Sequence, residues 1–244
     1  MKKTFKSVYI ALILLFLYAP IAVMIALSFN ASKSRAVWGG FSLTWYAQLF
    51  DSPEIMQALQ VTLTVAVLAT LVATVIGSLG AIGIHAMKTG RANALINLSY
   101  LSMTTPDIAT GVSLMLMFVF MKIPLGWGTM LMAHIAFDTP YVLFSVLPKL
   151  RQMNPSTYEA ALDLGCKPGK ALRKVILPQI MPGIVTGALL SFTMSLDDFV
   201  ISYFTSNTDQ NLSMIVYSAA RRGIEPTIYA LSTLMFLVVL ILLV

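Results

Sequence analysis

Six apolar stretches, near 8–28, 58–86, 94–121, 126–147, 181–204 and 227–244, take up most of the chain. Each is close to or above the roughly 20 residues a helix needs to cross the hydrocarbon core of a bilayer. In that solvent every backbone N–H and C=O must be satisfied within the segment, so stretches of this length fold as helices. The expectation is an all-α membrane protein with six transmembrane helices, forming a single domain over 1–244. Only 11% of the residues are charged, against about a quarter in soluble domains, which leaves too little polar surface for a water-soluble fold.

The first stretch follows Met1-Lys2-Lys3 and resembles a secretion signal in its flank. Its length of about 20 exceeds the roughly 7–15 residues of a signal core, and no small-residue cleavage site follows, so it reads as an uncleaved span. With a cytoplasmic N-terminus, eleven of the sixteen Lys and Arg fall inside and five outside, as the positive-inside rule requires. The net charge of +6 then reflects topology, and nucleic acid is not an expected partner. The single cysteine, Cys166, excludes an internal disulfide and sits on the reducing side.

Between the first two spans, 30–57 carries Trp38, Phe41, Trp45, Tyr46 and Phe50. This reads as an aromatic belt at the headgroups or as a contact surface for an outer partner. Asp51-Ser52-Pro53-Glu54 has the residues of a helix start. The second span has small residues every fourth position, Ala69, Ala73, Gly77 and Ala81, beside a second row of Ala66, Thr70, Thr74 and Ser78. Close backbone approach is how helices associate in lipid, so this span is expected at the centre of the bundle. Thr104-Thr105-Pro106-Asp107 should kink or restart the third span, with a half-helix from Ile108 to Met121, and Asp138-Thr139-Pro140 should break the fourth. An apolar piece, 212–220, should end at Gly223.

No catalytic constellation is visible. His85 and His134 lie far apart without ligand-like companions, so no metal site is expected. No G-x-x-x-x-G-K-[ST] loop occurs, so energy from ATP has to come through a partner. What stands out is acid at membrane depth: Asp107 and Asp138 near mid-span, and Asp197 with Asp198 near the outer end of the fifth span. An ionised carboxylate there is costly unless it meets water, a cation or a partner, and no Lys or Arg lies at matching depth. These four point to a path for a cation or for protons. Adjacent helical residues diverge by about 100°, so only one of Asp197 and Asp198 is expected to face it. Other readings stay open: Asp107 as a cap for the restarted helix, Asp197 and Asp198 as interfacial, and Asp138 as hydrogen-bonded within the bundle. Tyr203, with Tyr141, Phe192, Phe199 and Phe204, offers faces for an organic ammonium or packs against neighbours.

The segment 149–178 is a polar, basic island between the fourth and fifth spans. Pro155 to Leu164 favours a helix, Gly165 permits a left-handed exit, and a second short helix should run from Pro168 to about Ile176 and stop at Pro178. Such a knob either lies on the headgroups or docks a partner. Glu159-Ala160-Ala161-Leu162-Asp163-Leu164-Gly165, followed by Ile176-Leu177-Pro178, resembles the E-A-A-x-x-x-G…I-x-L-P loop of importer-type ABC transporter permeases. Tyr18-Ala19-Pro20, Ser28-Phe29-Asn30, Trp45-Tyr46, Pro106-Asp107-Ile108 and Ser191-Phe192-Thr193-Met194-Ser195-Leu196-Asp197-Asp198 are similar to the spermidine/putrescine permeases, the second of their two permease subunits.

The resemblance implies a type I importer permease fold in which Glu159, Ala160, Ala161 and Gly165 belong to a coupling helix seated on an ATPase. It implies a heterodimer with a second permease, two copies of an ATP-binding subunit holding ATP and Mg, and an extracytoplasmic polyamine-binding protein. This chain would then be no enzyme and carry no cofactor, and would sit among lipid in a bacterial cell membrane, inner or plasma. Rival readings are an importer of another cation such as ferric iron, and a proton-coupled secondary transporter. Asp138 matches no motif of the family; its role rests on depth alone.

Overall fold

The computed structural model describes residues 2–243. The helices are α1 (Lys2–Ser28), α2 (Thr44–Asp51), α3 (Pro53–Ala86), α4 (Thr89–Thr104), α5 (Asp107–Phe120), α6 (Trp127–Gln152), α7 (Pro155–Asp163), α8 (Pro168–Ala171), α9 (Leu177–Asp197), α10 (Val200–Thr205), α11 (Leu212–Arg222) and α12 (Pro226–Leu243). Among the described residues the only strand-like feature is an isolated bridge between Asn30 and Phe41. Among the described residues, four helical stretches are long and apolar enough to cross a membrane. The pair α4 and α5 supplies a fifth crossing if it is one span, and α12 is a shorter apolar helix. This is compatible with six spans; Val244, the end of the last expected one, lies outside the described residues.

The chain divides into two compact units. The first joins residues 1–57 to 215–244, with α12 packed on α1 and α2. Its organising residue is Asn30, which is buried. Its side-chain oxygen accepts from Ser32 N at 3.1 Å and Gly39 N at 2.8 Å, and its amide donates to Val37 O at 2.9 Å and Ser34 O at 3.3 Å. Trp45 Nε1 donates to Asn30 O at 2.6 Å, and Phe29 stacks on Phe41 with centroids 5.2 Å apart. Trp45 is therefore a core residue and not part of an aromatic belt, whereas Trp38, Phe41 and Phe50 remain exposed. Asn30→Ala should lower stability by about 2–3 kcal/mol, since buried loop amides lose their acceptor; thermal unfolding in detergent measures this.

The second unit covers 58–214 and is built on one seam. Gly183, Gly187, Ser191 and Ser195 recur every fourth residue along α9 and are all buried. They face α6 in antiparallel register. A Cβ at Gly183 would lie 2.8 Å from Ser145 O, and one at Gly187 3.0 Å from Val142 Cα; further along, Ser191 meets Asp138 and Ser195 meets His134. On the other side, a Cβ at Gly77 of α3 would lie 2.9 Å from Thr139 O. So α6 is gripped from two sides by helices whose small residues admit its backbone. It buries half of its apolar length, against 39% for α3, and the centre is α6 rather than the second span.

Of three expected interruptions, two differ. Helix α6 runs unbroken through Pro140 and Pro148: its neighbours hold it, and the Thr139 hydroxyl adds a bond to Ile135 O at 2.6 Å, the kind of support that makes proline tolerable in a span. The Pro106 interruption is the expected restart: α5 begins at Asp107, turned 105° from α4. Thr105 closes it by donating from both N and Oγ1 to Leu101 O. Pro178 does not end a helix. A π turn, Leu172–Ile176, carries α8 into α9, with Leu177 N bonded to Leu172 O, so Pro178 falls in a fresh first turn where its missing N–H costs little. The fifth span accordingly begins well before residue 181, and it is divided at Asp198 before α10.

Candidate functional site

The polar island folds by local rules. Asn154 caps α7, accepting from Ser156 N at 3.0 Å. At the other end Gly165 has φ +80°, its N–H donates to Leu162 O at 2.8 Å, and Cys166 N donates to Ala161 O at 3.0 Å. Those two bonds with a left-handed residue between them make a Schellman turn. Tyr158 packs on the core at the base of α6, together with Met153 and Leu172. Glu159, Ala160 and Asp163 face outward, and Leu164 is 89% exposed.

The four acids part company. Asp107 is exposed in the first turn of α5, where the helix dipole favours negative charge, but its side chain makes no capping hydrogen bond among the described residues. One turn on, a Cβ at Gly111 would approach Phe204 to 3.0 Å and Val200 O to 3.4 Å, so α5 lies against α10. Tyr203, 57% exposed, stands between Phe199 and Phe204 at 5.4 Å from each ring. Tyr141 on α6 is within electrostatic reach of both Asp107 and Asp138. Asp107 and Tyr203 are thus open and sit on two helices that touch.

Asp138 is 0% exposed. Ser191 Oγ donates to its Oδ2 at 3.0 Å, while Oδ1 has no partner among the described residues. Asp197 is exposed at the end of α9. Asp198 turns inward: its carboxylate accepts from Ile201 N at 3.2 Å, Ser202 N at 2.8 Å and Ser202 Oγ at 3.1 Å. It therefore caps α10 and lies 3.5 Å from His134 Nε2.

His134 is the residue the sequence reading passes over. It is buried on α6, with Nδ1 at 2.6 Å from Ser195 Oγ and Nε2 at 2.9 Å from Ser202 Oγ. Asn211 completes the group, its amide donating to Asp198 O at 2.9 Å and to Ser202 Oγ at 2.8 Å. The companions were 61 and 68 positions away in the chain, which hides them from spacing arguments. A usable signal was present, because an ionisable residue in an apolar span needs a polar partner. Among the described residues no three His, Cys, Asp or Glu side chains converge as a metal site.

A profile of the family described as binding-protein-dependent transport system inner membrane component matches residues 73–244. The chain is 35% identical over 240 residues to the spermidine/putrescine transport system permease protein PotC of Haemophilus influenzae, which covers 98% of this chain and 93% of that protein. It is 39% identical over 229 residues to the putrescine transport system permease protein PotI of Escherichia coli K12, covering 90% and 81%. Among solved structures, a chain of a bacterial alginate ABC transporter in complex with an alginate pentasaccharide-bound periplasmic protein superposes with a TM-score of 0.74. That match covers 98% of this chain and 90% of the other at 17% identity, and is a likeness of fold.

Proposed function

This chain belongs to the family of binding-protein-dependent transport system inner membrane components, and from that premise we propose that it forms half of the pore of an ATP-driven polyamine importer. It is a multi-pass transport subunit and not an enzyme; ATP is hydrolysed by a separate subunit, and an extracytoplasmic binding protein delivers the substrate. In this reading the pore is a heterodimer with a second permease, and two ATPase copies hold ATP and Mg. The N-terminus and the island 149–178 are cytoplasmic. ATP closes the ATPase pair, α7 moves with it through Glu159, Ala160, Ala161 and the Gly165 turn, and the spans alternate between outward and inward openings.

The cargo rests on one observation: Asp107 is exposed, without a basic partner among the described residues, at the start of α5, which packs on α10, the helix that carries the exposed Tyr203. Among the described residues no Lys or Arg pairs with a carboxylate, so these acids are left to neutralise something that passes. A linear polyammonium chain suits carboxylates interleaved with aromatic faces, and sites that bind it weakly let it leave. Asp197 and Asp138 are the further acids of this path, the second reached only when α6 and α9 part.

The test is uptake of labelled spermidine and putrescine by the reconstituted complex, with and without ATP and the binding protein. Uptake that needs neither and follows a pH gradient would make this a secondary transporter, and ferric iron taken in preference would change the cargo. Asp107→Asn should reduce uptake about tenfold, the loss of one charge-assisted contact, with the complex still assembled on a sizing column. Unchanged uptake kinetics would remove Asp107 from the path.

A further inference from the structure

The buried group around His134 joins the helix that carries the island to the helix that carries the aromatic face. Helix α6 is continuous from Trp127 to Gln152, and at its base Leu147 and Leu150 share a core with Ile176, against which Tyr158 of α7 packs. At its other end it holds α10 twice. Thr129 Oγ1 donates to Thr205 O at 2.7 Å, and His134 Nε2 meets Ser202 Oγ at 2.9 Å. The same imidazole reaches Ser195 on α9 through Nδ1, so one ring bridges both sides of the break at Asp198.

The hydrogen count decides which way these bonds run. A hydroxyl has one hydrogen, and that of Ser202 goes to Asp198 Oδ2 at 3.1 Å. Ser202 Oγ already accepts from Asn211 Nδ2 at 2.8 Å. Toward His134 it can therefore only accept, which places a proton on Nε2 aimed at α10 and within 3.5 Å of Asp198. The ring is locked in one orientation, and its polarised N–H is directed at the capped first turn of α10. Tyr203 and Phe204 follow directly on that turn, and Phe204 rests on α5 one turn from Asp107.

We infer that His134 is a positioning residue for transport: through its Nε2–H it binds α10 to α6, so that motion entering at α7 is delivered to the aromatic face beside Asp107. This rests on the importer reading above. Helix α10 has only six residues and cannot hold its place by its own hydrogen bonds. Without the imidazole it would keep its cap and its far end on Thr129, but its first turn would lose its hydrogen bond to the moving helix.

Two substitutions separate the ring's nitrogens. The amide of Gln reaches where Nε2 stands, and that of Asn only where Nδ1 stands. In proteoliposomes holding the whole complex and its binding protein, His134→Asn should lower polyamine moved per ATP hydrolysed about tenfold, the scale of a lost coupling contact. His134→Gln should stay within about twofold of the unaltered protein, and KM for the loaded binding protein should hold in both. Equal ratios for Asn and Gln, high or low, would overturn the inference. A readout independent of cargo uses spin labels at Cys166 and at Asn207→Cys, just past α10. Their separation should change between nucleotide-free and ATP-bound states only in His134→Asn; the same behaviour in the Asn variant and the parent also overturns it. If the unaltered complex moves no polyamine while the label result holds, the cargo reading fails and this one stands.

Discussion

Gly165→Val is expected to abolish ATP-driven uptake, by at least about a hundredfold, while the membrane helices stay folded. The reason is the backbone. Gly165 sits at φ +80°, where an ordinary L-residue costs about 1–2 kcal/mol and a β-branched one more. Space is not the obstacle, because a Cβ there would meet nothing within 4 Å. The valine turn would relax by giving up the Gly165–Leu162 and Cys166–Ala161 bonds, which swings the exposed Leu164 away from the end of α7. Asn tolerates the left-handed region, so Gly165→Asn should keep a large part of the activity. Co-purification of the ATPase subunit and uptake per ATP measure the effect. Normal coupling in the valine variant would show that the turn does not present α7 to a partner.

Gly183→Val is expected to have the largest effect on folding. The added Cβ would stand 2.8 Å from the backbone oxygen of Ser145 and 3.2 Å from Val146 Cα, and backbone inside a packed helix cannot yield as a flexible side chain does. Separating α6 from α9 would also draw Ser191 from Asp138 and Ser195 from His134, leaving buried polar groups unpaired. Overpacking of this kind costs about 3 kcal/mol or more once those losses are included, so little folded protein should be recovered in detergent. Gly83→Ala is the matching control: nothing lies within 4 Å of its Cβ, and it should be neutral or slightly stabilising. Equal thermal unfolding of the two variants would mean that the α6–α9 seam does not organise this unit.

Much of the architecture could be read in advance because its causes are local. An apolar run must be helical in lipid, and the expected starts at Pro53 and Pro155 and stops at Gly165 and Gly223 follow from capping and left-handed glycine chemistry at single positions. Proline misled for the opposite reason. Whether it breaks a helix depends on what stands beside it: Pro140 is buried within a continuous α6, and Pro178 is received by a π turn. The small-residue rows on the second span were legible, but the row on α9 proved to mark the tighter seam, since its partner in α6 could be known only once the helices were brought together.

The same division runs through the functional residues. Composition and periodicity alone determined that the chain lives in a membrane, and the motif from Glu159 to Gly165 points to where, in the proposed importer, an outside motor would take hold. Those properties depend on residues close together in sequence. Tertiary structure decided which of four similar aspartates does what: Asp107 and Asp197 open, Asp138 sealed against Ser191, Asp198 turned inward to cap α10 beside His134. A carboxylate in a low-dielectric interior is defined by the partners within a few ångströms, and here those partners are supplied by helices many residues away.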